Sequence, residues 1–438
     1  MKKLMNCLII INNPMEKPLT RHIIPGASPQ DLKDYKRAGG YAGTEKALKK
    51  MSPVEVTNLV KASNLLGRGG AGFPSGVKWS LVPLDDDRSK PNYLVCNADE
   101  MEPGTFKDRY LLEGNPHQLI EGMIITAYAI QAEKAYIFLR WAYKKAEIEL
   151  RKALAEAYDE GYLGKDIMGS GFDLDINVHV SAGRYICGEE TALLNSLEGK
   201  RAIPRTKPPF PAISGLFGRP TVVNNVETLS WISHIVENGA EWFKSLSLTG
   251  TGGTKLFGVS GKVKNPGIWE LPLGVTIREL LEEHAGGMLD GYRFRAVLPG
   301  GASTDFLKED HLDIKMDFST IAAAGSRLGT GNMIILDDKT CPVAFIQNVE
   351  KFFAVESCGW CTPCREGLPW VEKLLASIEA GTGKMEYLDI LRFHTQYLGP
   401  GNTFCAHAPG AVEPLQSGLN YFHDDFVRHI KDKKCPWR

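Results

Sequence analysis

The sequence predicts an α/β chain of three units: a parallel sheet covered by helices, a small β-grasp unit, and a C-terminal helical bundle. Three observations predict it. Short apolar runs alternate with helix-patterned runs between residues 93 and 236, the signature of parallel strands joined by crossover helices. The composition then turns to Gly and Thr at 248–254, a linker-like stretch, after which two strands, a helix and more strands follow. From Cys341 onward no strand pattern remains, and helical periodicity recurs to the end.

The elements follow in order. Ser52 and Pro53 mark the start of a helix over 52–66, as N-cap and first-turn proline. Strands are expected at 93–96, 135–139 and 175–180, and helices at 120–130, 142–158, 189–197 and 224–236. Ligands of such a sheet gather at the carboxyl ends of its strands. In the second unit 255–261 and 267–272 form a hairpin, followed by a helix at 276–284 and strands at 294–298 and 333–336. Helices at 343–355, 364–380, 387–397 and 411–430 make a four-helix bundle. The boundaries of these units fall at 1–65 (an N-terminal strand and helical segment), 66–247, 248–338 and 339–438.

A chain of 438 residues exceeds one ordinary core, so several units are required. The net charge of −1 gives no electrostatic footprint for nucleic acid or anionic lipid. Nine cysteines, an odd and clustered set, argue for a reducing compartment and metal ligation over a disulfide framework. The apolar start, residues 4–11, is interrupted by Asn6 and lacks a small-residue cleavage site, so it reads as an edge strand, not a signal peptide. No run is long enough to span a bilayer, and membrane association is expected only through partners.

Cys358, Cys361 and Cys364 stand in Ser-Cys-Gly-Trp-Cys-Thr-Pro-Cys-Arg, a C-x2-C-x2-C. Three thiolates one short turn apart plus a distant fourth suit a cubane iron–sulfur cluster. A fully local motif would supply its fourth Cys three residues later, but 365–368 read Arg-Glu-Gly-Leu. Cys405, in a Gly/Pro loop where backbone can approach closely, is a candidate, and Cys341, Cys435 and His407 compete with it. A zinc site or unrelated buried thiols remain open at this point.

A second motif surrounds Gly67, Gly69 and Gly72, which form G-x-G-x-x-G together with Arg68 and Gly70. A dinucleotide fingerprint needs a strand before it and a helix after it. Here a helix precedes and Pro74 follows, so the usual reading fails, although such a loop still curls N–H groups around an anion. Arg68 and Lys78 add positive charge, and Phe73 and Trp79 offer faces for a flat ring. The first strand runs into Asn97-Ala-Asp99-Glu100-Met-Glu102, and the third into Gly183-Arg-Tyr185-Ile-Cys-Gly188-Glu189-Glu190. Such carboxylates accept from ribose hydroxyls, amides or ring N–H groups; alternatively they are solvated or complement a helix dipole. Lys207 and Phe210 sit on a stiff Pro-rich ribbon, and Asn224 and Asn225 open another helix. An anion-and-ring site feeding a one-electron centre requires a converter, and flavin stores two electrons and releases them singly.

These motifs, in this order, resemble the NADH- and FMN-binding flavoprotein component of respiratory complex I, from about residue 20 to about 430. The resemblance implies a Rossmann-like FMN-binding sheet, a ubiquitin-like module and a bundle carrying one 4Fe–4S cluster. It implies FMN held by Gly67, Arg68, Gly69, Gly70, Gly72, Lys78, Asn97, Asp99, Glu100, Tyr185, Gly188, Glu189, Asn224 and Asn225. NADH would stack on the flavin among Phe73, Glu102, Glu190, Lys207 and Phe210, with Cys358, Cys361, Cys364 and Cys405 as cluster ligands. Hydride would pass from NADH to FMN with no protein acid or base, and electrons would leave singly towards quinone. Carboxylates near the flavin would tune its potential and repel the 2′-phosphate of NADPH. The implied partners are a thioredoxin-like 2Fe–2S subunit and a large iron–sulfur subunit, and the implied place is the cytoplasmic face of the inner membrane. Many relatives carry Ser where Met101 stands, and some carry Phe where Leu81 stands. Two rivals share parts of this pattern: a diaphorase component of an NAD-reducing hydrogenase or formate dehydrogenase, and a non-catalytic iron–sulfur scaffold.

Overall fold

The computed structural model describes residues 16–84 and 91–438; the apolar start read as an edge strand lies outside the described residues. Among the described residues the first sheet has four strands, β1 (Asn92–Ala98), β2 (Ala132–Leu139), β3 (Asp175–Val180) and β4 (Thr221–Asn225), in the order β3-β2-β1-β4. All its pairings are parallel, with Asn97 opposite Phe138 on one side and Asn225 on the other. β1, inside the sheet, is buried along most of its length, whereas β3 at the edge alternates exposed and buried residues at its start. The helix Pro116–Ala129 packs across this sheet and is buried on nearly every side. Its Gly122 brings the carbonyl of Leu229 against the backbone, where any Cβ would collide. Upstream, the helix Pro53–Ser63 starts on a reciprocal cap in which Ser52 and Glu55 satisfy each other's backbone N–H.

β4 is a correction to the sequence reading, which placed a helix over 224–236. The strand takes 221–225, and two short helices, Val226–Ser230 and Ile232–Asn238, follow. A five-residue strand ending in two asparagines carries too little alternation to be seen. Asn225 does cap the following helix, its side chain accepting from Glu227 N at 3.0 Å.

The second sheet contains β5 (Thr254–Ser260), β6 (Gly267–Pro272), β7 (Phe294–Leu298) and β8 (Asn332–Asp337), in the order β6-β5-β8-β7. β5 and β6 form the expected hairpin, and β5 pairs parallel with β8, the mixed pairing of a β-grasp sheet. The helix expected at 276–284 is a π-helical turn over Glu279–His284.

The C-terminal unit holds five helices rather than four: Pro342–Glu356, Thr362–Glu379, Glu386–Leu398, His407–Tyr421 and His423–Asp432. The last expected helix breaks at Phe422. That ring is buried edge-on to Phe306 at 5.2 Å and lies under the Arg295 guanidinium, so the chain turns there to pack on the second unit. No helix among the described residues is long and apolar enough to cross a membrane.

Candidate functional site

The Gly-rich loop leaves the helix Pro53–Ser63 and is closed by Gly67 N donating to Phe73 O at 2.9 Å. Gly72 adopts φ +67°, and a Cβ there would lie 2.7 Å from the Phe318 ring, so only glycine fits. Gly69 rests on Asn225, with room for a Cβ only 3.2 Å from the Asn225 Cβ. The loop therefore sits on the carboxyl end of β4, where a parallel sheet binds its ligands.

Arg68 departs from the expectation that it adds charge to the loop's ligand face. Its side chain is fully buried, and the guanidinium donates to the carbonyl oxygens of Gly252 (2.9 Å) and Thr254 (3.2 Å) at the start of β5. It belongs to a buried ionic network under the loop. Glu227 pairs with Lys107 at 2.9 Å and Lys255 at 3.3 Å, and Lys107 pairs with Asp108 at 2.6 Å. Burial alone would raise the Glu227 pKa, yet Lys107, Lys255 and Arg68 hold it down to about 2. Asn225 is consumed by the same network, donating to Asp108 at 2.6 Å.

The acidic run after β1 divides its labour. Asp99 Oδ1 accepts from Ser181 Oγ at 2.8 Å, whereas the buried Oδ2 has no partner among the described residues. Burial pushes the Asp99 pKa up to about 6. An unpaired acceptor at a strand's carboxyl end fits the N–H of a bound ring. Beside it, Asn97 donates to Gly188 O at 3.4 Å. Glu100 serves the helix instead: it accepts from Lys107 N and Asp108 N, both at 3.0 Å, and so caps the helix Lys107–Gly114. Glu102 accepts from Tyr185 Oη and Ser303 N, each at 2.7 Å, and its burial raises its pKa.

The second acidic pair meets the two lysines. Glu189 caps the helix Glu190–Leu197 through Thr191 N and Ala192 N, and it also receives Lys207 Nζ at 3.0 Å. Lys78 Nζ donates to Glu190 Oε2 at 2.6 Å and to Val223 O at 2.8 Å, while Lys207 lies 3.5 Å from Glu190. Burial works against the Glu190 charge, but Lys78 and then Lys207 keep its pKa below the ordinary value. Asn224 accepts from Trp79 Nε1 at 2.9 Å, which seats the buried indole beside Lys78. Phe73 and Phe210 are the exposed aromatics of the set, each about half accessible, and Leu81 is equally exposed. Met101 is half-buried.

Two parts of the cleft were not read from the sequence. The β-grasp unit sends in Gly301 and Ser303, and a Cβ on Gly301 would fall 2.6 Å from Glu102 Cγ. The run Pro299-Gly-Gly301-Ala-Ser303 is a turn signal that marks this close approach. The bundle supplies Glu356, which accepts from Tyr185 N at 2.9 Å and pairs with Arg184 at 3.3 Å.

Cys358, Cys361, Cys364 and Cys405 line one pocket together with Ile186, Pro204, Thr403, His407 and Ala408. The helix Thr362–Glu379 begins between the second and third of these thiols, and Phe404 N donates to Cys361 Sγ at 3.4 Å. Burial pushes Cys364 up to about 11 and Cys405 up to about 12, so these two thiols ionise there only around a cationic centre. Arg201 and Arg365 donate to the carbonyl oxygens of Cys358 (2.9 Å) and Gly359 (3.0 Å), placing positive charge beside such a centre. Cys341 and Cys435 lie elsewhere, with Glu379 and His429. His407 lines the pocket, with Nε2 2.8 Å from Phe353 O.

The two sites share the short turn Tyr185–Gly188. Tyr185 faces Glu102 in the cleft, and Ile186 lines the cysteine pocket. A flavin-type cleft joined to a four-thiol pocket by one turn defines an electron-input module, a flavoprotein built to split electron pairs.

Comparison with known proteins agrees with that class. A family model described as the Nuo51 FMN-binding domain matches residues 60–234, the SLBB domain matches 256–307, and the NADH-ubiquinone oxidoreductase-F iron-sulfur binding region matches 344–429. The chain is 56% identical over 422 residues to the F subunit of NADH-quinone oxidoreductase from Escherichia coli strain K12, covering 96% of this chain and 95% of that one. It is 48% identical over 403 residues to the corresponding protein of Streptomyces coelicolor, covering 92% and 89%. The chain belongs to the family of NADH-quinone oxidoreductase F subunits. Among solved structures it is similar to an NAD+-reducing [NiFe]-hydrogenase in the air-oxidized state, with a TM-score of 0.77 and 35% identity, over 87% of this chain. It spans 63% of that hydrogenase chain. The H2-reduced form gives a TM-score of 0.79 at 33% identity, over 93% of this chain and 68% of that one.

Proposed function

We infer that this chain is the NADH-oxidising, electron-input component of an NADH:quinone oxidoreductase, carrying FMN and one 4Fe–4S cluster. The observation that carries the reading is the turn Tyr185–Gly188, which touches the cleft and the cysteine pocket within two consecutive residues. Bound in the cleft, FMN supplies two-electron acceptance and one-electron release. The chain's own residues position and insulate. The Gly67–Gly72 loop and Lys78 would hold its phosphate, and Asp99 would offer Oδ2 to a ring N–H. Glu102, Glu190, Lys207, Phe73 and Phe210 form the nucleotide side, where the Lys78 and Lys207 pairs keep Glu190 ionised. No side chain needs to move a proton for hydride transfer. Cys358, Cys361, Cys364 and Cys405 hold the cluster; Cys405 is favoured as fourth ligand over Cys341 and Cys435 by its place in the pocket, which His407 shares.

The diaphorase rival is less well supported, since identity falls from 56% with the Escherichia coli relative to 35% with the hydrogenase, a longer chain. A scaffold has no use for the unpaired Asp99 oxygen or the paired Lys78 and Lys207. The relatives are each named as one component of a larger enzyme, so the chain works inside a multi-subunit assembly. Its partners in this reading are a thioredoxin-like 2Fe–2S subunit and a large iron–sulfur subunit, on the cytoplasmic face of the inner membrane. Units bounded near 66, 248 and 339 are supported by the two sheets and the bundle that fall between those positions.

The test is anaerobic addition of NADH to the complex, followed by visible and low-temperature EPR spectra. Flavin bleaching is expected with a reduced-cluster signal, and Cys405→Ala is expected to keep the bleaching and lose the signal. Absence of bleaching with FMN and iron both present would remove NADH as donor. An unaltered cluster signal in Cys405→Ala would move the fourth ligand to His407.

A further inference from the structure

Far from the cysteine pocket, Cys341, Glu379, His429 and Cys435 turn inward on one point, their ligand atoms all within 4.8 Å of one another. Each comes from a different element. Cys341 precedes the helix Pro342–Glu356, Glu379 ends Thr362–Glu379, His429 lies in His423–Asp432, and Cys435 lies in the tail. The Cys341 sulfur is 3.3 Å from both Glu379 Oε2 and His429 Nε2, and these two are 3.1 Å apart. Both cysteines and the histidine are buried, and none takes part in the electron path described above.

We propose that these four side chains form a structural site for a divalent zinc-class cation, distinct from the iron–sulfur site. The donor set is two thiols, one imidazole and one carboxylate, the mixture that a four-coordinate borderline-soft ion takes and an oxygen-seeking Mg²⁺ or Ca²⁺ does not. The surrounding contacts are those of a ligand shell. His429 Nδ1 lies 2.6 Å from the carbonyl of Asp425, which fixes the proton on Nδ1 and leaves the Nε2 lone pair facing the other three donors. Ala344 N donates to the Cys341 sulfur at 3.4 Å. Trp437 stacks on the His429 ring at 5.8 Å and 17°, closing the site from solvent. The second carboxylate oxygen of Glu379 is buried with no hydrogen-bond partner among the described residues, and Arg438 Nη2 lies 3.6 Å from it. On binding, two thiols lose their protons to solvent and form two metal–sulfur bonds, with no change in oxidation state. The ion would then fasten the C-terminal tail to three of the bundle's helices.

The experiment uses the complex purified with FMN and iron intact. Metal analysis is expected to give about one zinc per FMN, and X-ray absorption at the zinc edge to show two sulfurs at about 2.3 Å with two N/O donors at about 2.0–2.2 Å. Cys435→Ser and His429→Gln are each expected to lose the zinc while iron and FMN per chain stay unchanged. Should both variants fail to fold, a strong zinc chelator on the wild-type complex is expected to lower its Tm, with recovery on added Zn²⁺ but not Mg²⁺. Wild-type complex from zinc-supplied cells with no zinc and no Tm response to Zn²⁺ would overturn the proposal. So would zinc retained in both variants, or a Cys341–Cys435 disulfide found by peptide mapping.

Discussion

At the scale of single residues, Asp99 shows how a binding site is held against stability. Its carboxyl is buried, one oxygen is satisfied by Ser181, and the other has no partner among the described residues. The pKa rises from 3.8 to about 6, chiefly by burial. An acid whose folded pKa is raised contributes stability below its unfolded value, and that contribution is lost as pH rises through the folded value. Asp99→Asn is therefore expected to stabilise the FMN-free protein relative to wild type by an amount growing from about pH 4 and levelling above about pH 7, at roughly 3 kcal/mol. Melting curves at pH 5 and pH 8 check this, with a Tm gap that widens at pH 8. The same variant is expected to bind FMN more weakly, because an amide offers no second carboxylate oxygen. A gap equal at both pH values would mean that Asp99 is not the buried titrating group. The sequence made Asp99, Glu100 and Glu102 look alike, three carboxylates in four positions. Only packing separates a helix cap at Glu100 from an open acceptor at Asp99 and a cross-unit anchor at Glu102, since Asp99 and Glu102 meet Ser181, Tyr185 and Ser303, all distant in sequence.

Among the elements, the ionic network beneath the Gly-rich loop joins pieces that no local pattern relates. Glu227 at the start of a helix gathers Lys107 from a second helix and Lys255 from β5, while Arg68 brings the loop itself against the β5 backbone. Removing the central anion leaves buried cations uncompensated, a loss of about 3–5 kcal/mol. Glu227→Ala is expected to destabilise the chain by that amount and to loosen FMN retention, since the loop loses its footing. Thermal unfolding and flavin content after gel filtration measure both. An unchanged Tm would show that the network is peripheral. Strands β1 to β3 were legible because apolar runs between turn residues mark buried parallel strands. β4 was not, because five residues ending in Asn-Asn read as a helix cap. The bundle's last break was hidden for a related reason: Phe422 interrupts the helix only because Phe306 and Arg295 of the second unit receive its ring. Arg68 was misread for want of the same information, as its carbonyl partners lie more than 180 residues away.

Across the whole molecule, all three units meet at Tyr185. Its hydroxyl donates to Glu102, which the β-grasp unit also holds through Ser303, and its backbone N–H donates to Glu356 of the bundle. The ring packs edge-on against Phe352, Phe353 and His407, between 5.2 and 5.8 Å. The cleft and the thiol pocket are thus both tied to this one residue, and Glu356 is the bundle's ionic share of that joint, paired also with Arg184. Glu356→Ala removes a charge-assisted acceptor worth about 1.5–3 kcal/mol at the joint. The flavin side keeps its own contacts, so NADH-driven reduction of ferricyanide, an acceptor able to draw electrons directly from the flavin, is expected to stay near wild type. NADH-driven appearance of the reduced-cluster EPR signal is expected to slow several-fold in rapid-freeze samples, and Glu356→Gln, which keeps an oxygen for Tyr185 N, is expected to recover part of it. Equal slowing of both reactions would place Glu356 in the nucleotide cleft instead. Unaltered kinetics in both would mean that the remaining contacts, the aromatic packing and the arginine–carbonyl hydrogen bonds, hold the joint without Glu356.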